Sequence, residues 1–210
     1  MRAFHNDPKI KEKYLARVRA HQDADRLVRG IGWDEWKGCA VGCTLEAYDH
    51  KRYETDLGIP EWLARVEDSL FEGMSQEKSR TWPEEFLTAI RPGVDLEPIK
   101  AEFLIVVLTS ALASFDHNKF PAVKSALDGS IALWNRKDIG SDEWAAAAAE
   151  AEAAAWAAAE AAAEAAAWAA AEAAAWAAAE AAAEAARAAE TDKYDYFADE
   201  LIKILNGCKG

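Results

Sequence analysis

The sequence predicts an all-α protein, in which a compact multi-helix domain is followed by a long Ala-rich helix and a short C-terminal amphipathic helix. Three observations predict this class. Apolar side chains recur at helical spacing through most of the chain, and no segment shows the convincing alternation of a strand. Residues 144–190 contain 34 Ala in 47 positions, and Ala has the highest helix propensity. We therefore expect three parts: residues 1–140, 141–190 and 191–210.

The first helix begins at Asp7 and Pro8, a capping residue followed by a proline at the first helical position. Ile10 and Tyr14 start its apolar face, and we expect it to reach Gly30 with a possible break near residues 21–23. A short helix is expected at residues 45–48. Four further helices complete the predicted domain of about seven: residues 59–73, 81–90, 99–113 and 118–134. Because residues 99–113 are apolar nearly all round, that helix is expected in the centre of the core.

The Ala-rich segment carries a Glu or Trp at nearly every fourth position. Four residues advance about 400° on an α-helix, so its four Trp would point at about 0°, 120°, 240° and 320°. They cannot share one face of a straight helix about 70 Å long. We therefore predict a homo-oligomer, most simply a two-fold dimer, whose interface contains residues 144–190. The alternative is a curved or folded-back helix in a monomer.

Charge and composition exclude several classes of protein. The net charge is −13, and residues 141–190 supply −9 of it, which leaves a nearly balanced domain and argues against duplex nucleic acid as a partner. No apolar run is long enough to span a membrane, and the first residues lack the apolar core of a signal peptide. Three Cys are too few for a disulfide scaffold, so a cytoplasmic chain is expected. No catalytic signature is present, and we predict no cofactor.

The least ordinary stretch is residues 30–44, which hold four of the eleven glycines. Gly-rich backbone leading into a helix attracts phosphate, and neighbouring aromatic rings can stack on a base. The predicted ligand-binding residues are Trp33, Trp36, Lys37, Gly38, Gly42, Thr44, His50 and Tyr53. The alternative interpretation is that the glycines allow helices to approach closely.

Two cysteines of this stretch, Cys39 and Cys43, lie four residues apart, which on a helix places both thiols on one face. With His50 or His21 they could form a zinc site, but the spacing is not that of a zinc knuckle. The simpler interpretation is a pair of small buried thiols. We predict no metal site from the sequence.

The run Gly-Cys-Ala-Val-Gly-Cys-Thr at residues 38–44, together with Gly-Ile-Pro-Glu-Trp-Leu-Ala-Arg-Val-Glu-Asp at residues 58–68, resembles a family of uncharacterised bacterial and phage proteins that carry Ala/Trp/Glu-rich tails. The resemblance covers residues 1–95 and, in style, the tail. It implies no catalytic residue. It implies a mobile-element context, in which counter-defence functions are common.

These observations predict a non-enzymatic binding protein that sequesters a small phosphorylated ligand, such as a nucleotide immune signal. An alternative is a protein inhibitor or immunity-type protein that acts through its acidic helical surface. A weaker alternative is a nucleotide-degrading enzyme that uses His50 with Glu46 or Asp49 as acid–base partners.

Overall fold

The structure, a computed structural model, describes residues 1–114, 117–118, 121–136 and 176–207. Its α-helices are α1 Pro8–Asp23, α2 Ala40–Leu45, α3 Glu61–Gly73, α4 Gln76–Ser79, α5 Trp82–Ala89, α6 Ile99–Ala113, α7 Pro121–Trp134 and α8 Trp176–Gly207. A 3-10 turn (Ala3–Asn6) precedes α1, and a π-helical turn (Tyr53–Leu57) lies between α2 and α3. The only described sheet is a hairpin of β1 Trp33–Asp34 and β2 Lys37–Gly38. The predicted all-α class is confirmed.

The chain divides into two compact units, Met1–Lys100 with Ala188–Gly210, and Ala101–Arg187. The predicted boundary near residue 140 lies outside the described residues, as do Trp144, Trp156 and Trp168. At the predicted boundary near residue 190 the backbone is helical without interruption, because α8 continues to Gly207. The expected helix end at Thr191 is therefore wrong. A single Thr costs a helix only about 0.5 kcal/mol, far less than the burial of Leu201 and Leu205 downstream contributes.

Helix α1 begins as its sequence predicts. The Asp7 carboxylate accepts a hydrogen bond from the backbone N–H of Lys9 at 2.8 Å, and Pro8 is the first helical residue. The helix ends at Asp23 rather than near Gly30. A turn follows, in which Asp25 has a left-handed φ of 54°, and Leu27 then forms an isolated bridge to Gly38, so this segment packs on the hairpin instead of continuing the helix.

The core of the first unit forms where helices from distant parts of the chain meet. Helix α2 contacts both α1 and α3, and α5 also contacts α1 and α3. The predicted apolar face of α3 is confirmed at Leu63, Leu70 and Phe71, which are buried. One position departs from the prediction: Glu67 is buried where the period suggested Val66, so a carboxyl group lies within the core.

Residues 38–44, predicted as a loop, are mostly the buried helix α2 and its N-cap. A side chain at Gly42 would place its Cβ atom 1.8 Å from the carbonyl oxygen of Gly32, and one at Gly38 would place it 2.4 Å from the same oxygen. The glycines thus let the backbone before the hairpin cross directly over α2. The short helix expected at residues 45–48 is absent, since α2 ends at Glu46 in the left-handed region with φ 53°.

In the second unit the structure describes α6 from Ala101 onward, α7, and the first twelve residues of α8. Helix α6 has the predicted bounds, but the prediction of full burial is wrong for the described residues. Between residues 100 and 113 only Phe103 is buried, and Leu104 to Leu108 are half-buried. A helix that is apolar all round has no polar stripe to mark an outer face, so its sequence could not tell how much of its surface would be covered.

Candidate functional site

A group of metal-ligating side chains lies between the start of α2 and the middle of α3. Asp68 and Glu72 are four residues apart on α3 and so occupy the same face. Cys39, the N-cap residue of α2, faces them. One ligand atom from each residue, the Cys39 thiol sulfur and a carboxylate oxygen of Asp68 and of Glu72, lies within 4.8 Å of the other two. This trio is the candidate site.

The two carboxylate oxygens of Asp68 have different surroundings. Oδ2 accepts hydrogen bonds from the Tyr48 hydroxyl at 2.7 Å and forms one with Nε2 of His50 at 3.0 Å. Oδ1 is buried and has no hydrogen-bond partner among the described residues, and only 14% of the side chain is exposed. A buried carboxylate oxygen without a partner is costly, by about 1–3 kcal/mol. The Asp68 side chain is therefore held in place through one oxygen and left unsatisfied at the other.

The other two members of the trio differ in exposure, because Cys39 is buried whereas Glu72 is partly exposed. Glu72 Oε2 accepts a hydrogen bond from the backbone N–H of Gly30 at 2.6 Å, and burial raises the pKa of the Glu72 carboxyl. Burial raises the pKa of the Cys39 thiol far above its ordinary value. In the metal-free protein this thiol is protonated at neutral pH, so Cys39 is not an activated nucleophile.

A second polar layer lies beside the trio and is fully buried. It consists of Thr44, Tyr53 and Glu67, whose side-chain oxygens lack hydrogen-bond partners of ordinary geometry. Burial raises the pKa of the Glu67 carboxyl to about 8, and burial together with the nearby Glu67 raises the pKa of the Tyr53 phenol well above its ordinary value. Glu67 is therefore a neutral carboxylic acid at pH 7.

The structure brings only some of the predicted ligand-binding residues to the surface. Gly38, Gly42, Thr44 and Tyr53 are buried, whereas 52% of Trp36 is exposed, and Trp33, Lys37 and His50 are half-buried. The four predicted ligand residues that are not buried lie in two regions. His50 contacts Asp68, whereas Trp33, Trp36 and Lys37 belong to the hairpin.

The hairpin has its own contacts. Arg26 and Lys37 lie over the Trp36 ring, 5.8 Å and 5.1 Å from its centroid. Trp33 meets His21 edge to face at 5.5 Å.

The backbone donors of the predicted phosphate loop already have partners. The N–H of Gly38 donates to the Arg26 carbonyl at 3.1 Å, and that of Cys39 donates to the Ile31 carbonyl at 2.7 Å. The Gly42 N–H donates to the Cys39 sulfur at 3.5 Å. The geometry therefore favours the alternative interpretation, in which the glycines serve close packing. A phosphorylated ligand at this segment stays a prediction.

The paired-thiol zinc site does not form. The Cys43 thiol donates to the carbonyls of Gly38 and Arg26, at 3.3 Å and 3.5 Å, and so belongs to a different environment from that of Cys39. His21 lies beside Glu46, 3.7 Å away. Cys39 instead faces two carboxylates, Asp68 and Glu72, neither of which is among the predicted site residues. The four-residue spacing of Asp68 and Glu72 places both carboxylates on one face of α3, and this spacing is the sequence signal that could have identified them.

The acid–base partners expected for His50 are also different. Glu46 pairs with Arg17 at 3.3 Å, and Asp49 accepts from the backbone N–H of Lys51 at 3.1 Å. The partner of His50 is Asp68, eighteen residues further along the chain. Tyr48, which is not among the predicted ligand-binding residues, donates to the same carboxylate.

Comparisons with known proteins identified no relative of this chain. No family model matches the chain, and neither the curated proteins nor the solved structures searched contain a match. Among the described helices, none combines the length and apolar character that crossing a membrane requires.

Proposed function

We propose that the first unit of this protein binds a divalent transition metal, Zn²⁺ by the chemistry of its donors, through Cys39, Asp68 and Glu72. A thiolate with two carboxylates is a donor set for Zn²⁺, whereas Mg²⁺ and Ca²⁺ take oxygen ligands alone. The observation that carries the proposal is the grouping of these three donors, with Asp68 Oδ1 buried and unpartnered among the described residues.

The three donor atoms must move closer together to coordinate one zinc ion. Zinc bond lengths of about 2.0–2.3 Å place tetrahedral ligands about 3.3–3.8 Å apart. The three donor atoms lie within 4.8 Å of one another, so they must close by up to about 1.5 Å. Rotation of the Asp68 and Glu72 side chains on α3 supplies such a movement without a change of backbone.

The surrounding contacts favour a cation. Among the described residues, no Lys or Arg forms an ion pair with Asp68 or Glu72. The charge of Arg29 acts on Glu72, but its guanidinium donates to the Met74 carbonyl at 2.6 Å. The hydrogen bonds from Tyr48 and His50 orient Asp68 in the manner of groups that support metal ligands.

The burial of Cys39 favours a binding or stabilising role over catalysis. Structural metal sites are closed, and a bound ion here would join the start of α2 to α3 and to the backbone at Gly30. Because the ion would bind the folded chain alone, it would also raise the stability of the first unit. The proposed function is therefore metal binding, with the ion stabilising the first unit.

Calorimetric titration of the reduced, metal-free protein with Zn²⁺ tests the proposal. We expect one ion per chain, with binding weakened at least tenfold in Cys39→Ser and in Asp68→Asn. The matched control is Cys43→Ser, because Cys43 is equally buried and lies outside the trio. Helical content by circular dichroism verifies that each variant is folded. Equal losses in Cys43→Ser and Cys39→Ser, or no stoichiometric binding, would show that the trio is not a metal site.

A further inference from the structure

His21, in the last turn of α1, is a histidine that the structure buries against the hairpin. Only 7% of its side chain is exposed, and its ring meets the Trp33 ring of β1 edge to face, with the centroids 5.5 Å apart. Backbone hydrogen bonds join the same elements. The N–H of Arg26 donates to the His21 carbonyl at 2.9 Å, and the N–H of Gly38 donates to the Arg26 carbonyl at 3.1 Å. The hairpin is therefore fixed to the end of α1 by one aromatic pair and a short run of backbone hydrogen bonds.

The surroundings of His21 suit an uncharged ring. Its Nδ1 atom is buried and has no hydrogen-bond partner among the described residues. Its Nε2 atom lies 3.7 Å from Glu46 Oε1, beyond hydrogen-bond distance, and Arg17 already pairs with the other oxygen of that carboxylate at 3.3 Å. A charged imidazole has two N–H donors, and neither nitrogen here has an acceptor at bonding distance. Protonation of His21 therefore conflicts with its position under Trp33.

Burial is the largest influence on the His21 imidazole and lowers its pKa below the ordinary value of 6.5. Three charged groups act on the ring from α1, α2 and the turn before β1: Glu46 favours the charged form, whereas Arg26 and Arg17 disfavour it. If the hairpin lifts, the ring meets water and its pKa returns towards the ordinary value. The closed arrangement thus binds fewer protons than the open one, so it is most stable above about pH 6.5 and loses stability as the pH falls below that value.

We propose that His21 is an acid-sensitive latch, which holds the hairpin on α1 at neutral pH and releases it when the ring gains a proton. A histidine can serve as such a switch because its charge changes near neutral pH. Release would uncover the side of α2 that the backbone at Gly32 crosses. It would also free the N–H of Cys39, which donates to the Ile31 carbonyl at 2.7 Å. The latch therefore controls access to the start of α2.

Hydrogen exchange of the reduced, metal-free protein at pH 7.5 and pH 5 tests the latch, with each amide rate divided by its intrinsic rate at that pH. The reporters are the N–H groups of Val28 and Gly38, because both take part in the hydrogen bonds that hold the hairpin. We expect their protection to fall about tenfold at pH 5, while amides of α3 and α5 stay protected. His21→Phe keeps an aromatic ring against Trp33 that cannot gain a proton, so its hairpin protection is expected to be equal at both pH values.

The matched control is His5→Asn, because His5 is an exposed histidine whose Nε2 atom lies 3.0 Å from the Thr55 carbonyl oxygen, and asparagine tolerates its left-handed φ of 51°. This variant is expected to lose hairpin protection as the wild-type protein does. An NMR titration of the His21 ring in the wild-type protein needs no variant, and its midpoint is expected to coincide with the loss of hairpin protection.

Three results would overturn the latch: unchanged hairpin protection at pH 5 in the wild-type protein, an equal loss in His21→Phe, or a simultaneous loss in α3 and α5, which would mark global unfolding. A His21 ring that gains its proton while the hairpin stays protected would overturn it as well. The experiment uses metal-free protein and alters none of Cys39, Asp68 and Glu72, so its failure would leave the metal proposal intact.

Discussion

At the scale of single residues, Glu67 is the most unusual side chain of the first unit. It is fully buried on the helix that also presents Asp68 and Glu72, and burial raises the pKa of its carboxyl to about 8. Thr44 and Tyr53 beside it are neutral and also lack ordinary hydrogen-bond partners, so neither of them offsets a negative charge on Glu67. The layer therefore tolerates Glu67 only in its neutral form.

This raised pKa predicts how stability depends on pH. In the folded protein Glu67 keeps its proton up to about pH 8, whereas in the unfolded chain it releases the proton near its ordinary pKa of 4.5. The folded state thus binds more protons between these values, so the free energy of unfolding falls as pH rises from about 5 to 8. The slope is at most about 1.4 kcal/mol per pH unit.

Urea unfolding of the metal-free protein at pH 5, 6, 7 and 8 measures this slope. Glu67→Gln is expected to flatten it, since glutamine has no proton to release. Glu61→Gln is the control, because Glu61 lies on the same helix and forms an ion pair with Arg65 near the surface. If the free energy of unfolding of the wild-type protein and of Glu67→Gln changed with pH in parallel, Glu67 would not be the group whose raised pKa sets the slope.

At the scale of elements, the contact between α2 and the backbone before the hairpin organises the site. Gly32 crosses over Gly38 and Gly42, and the Tyr48 ring covers Gly32 in turn, 2.6 Å from where a Cβ atom would stand. This crossing places Cys39 at the start of α2, against α3. The position of the Cys39 thiol therefore depends on the absence of a side chain at Gly38 and Gly42, which lets the backbone at Gly32 cross over α2.

We expect Gly42→Ala to destabilise the first unit by at least about 2 kcal/mol, because the added methyl group would overlap the Gly32 carbonyl. Gly129→Ala is the matched comparison, since Gly129 lies in α7 with no neighbouring atom within 4 Å of the added carbon. That change is expected to stabilise its helix by about 0.5–1 kcal/mol. Thermal unfolding monitored by circular dichroism compares the two, and a neutral Gly42→Ala would refute the close-packing interpretation.

Helical periodicity predicted the elements of the fold better than it predicted the site. It located α1, α3 and α6 because their apolar or capping residues repeat within one segment. It could not locate the trio, because Cys39 and Asp68 meet through contacts of α2 with α3 across an irregular stretch. The buried Glu67 was missed for a similar reason: a carboxyl group in the core has no signature until its neighbours are known.

At the scale of the whole molecule, the Ala-rich segment still predicts an assembly. Its four Trp point around the circumference of the expected helix, and each exposed Trp forgoes a few kcal/mol of burial. We expect light scattering to give twice the chain mass of 22.9 kDa at micromolar concentrations. Removal of residues 144–175 is expected to reduce the mass to that of one shortened chain. A full-length mass near 22.9 kDa throughout the concentration range would contradict the predicted oligomer.

The central claim is that Cys39, Asp68 and Glu72 bind one transition-metal ion. X-ray absorption at the zinc edge, on the reduced protein loaded with one equivalent of Zn²⁺, tests it most directly because it reports the donor atoms themselves. The claim predicts one sulfur at about 2.3 Å with oxygen or nitrogen donors at about 2.0–2.2 Å. It also predicts that the sulfur contribution disappears in Cys39→Ser and persists in Cys43→Ser. A shell without sulfur, or one with two sulfurs, would contradict it.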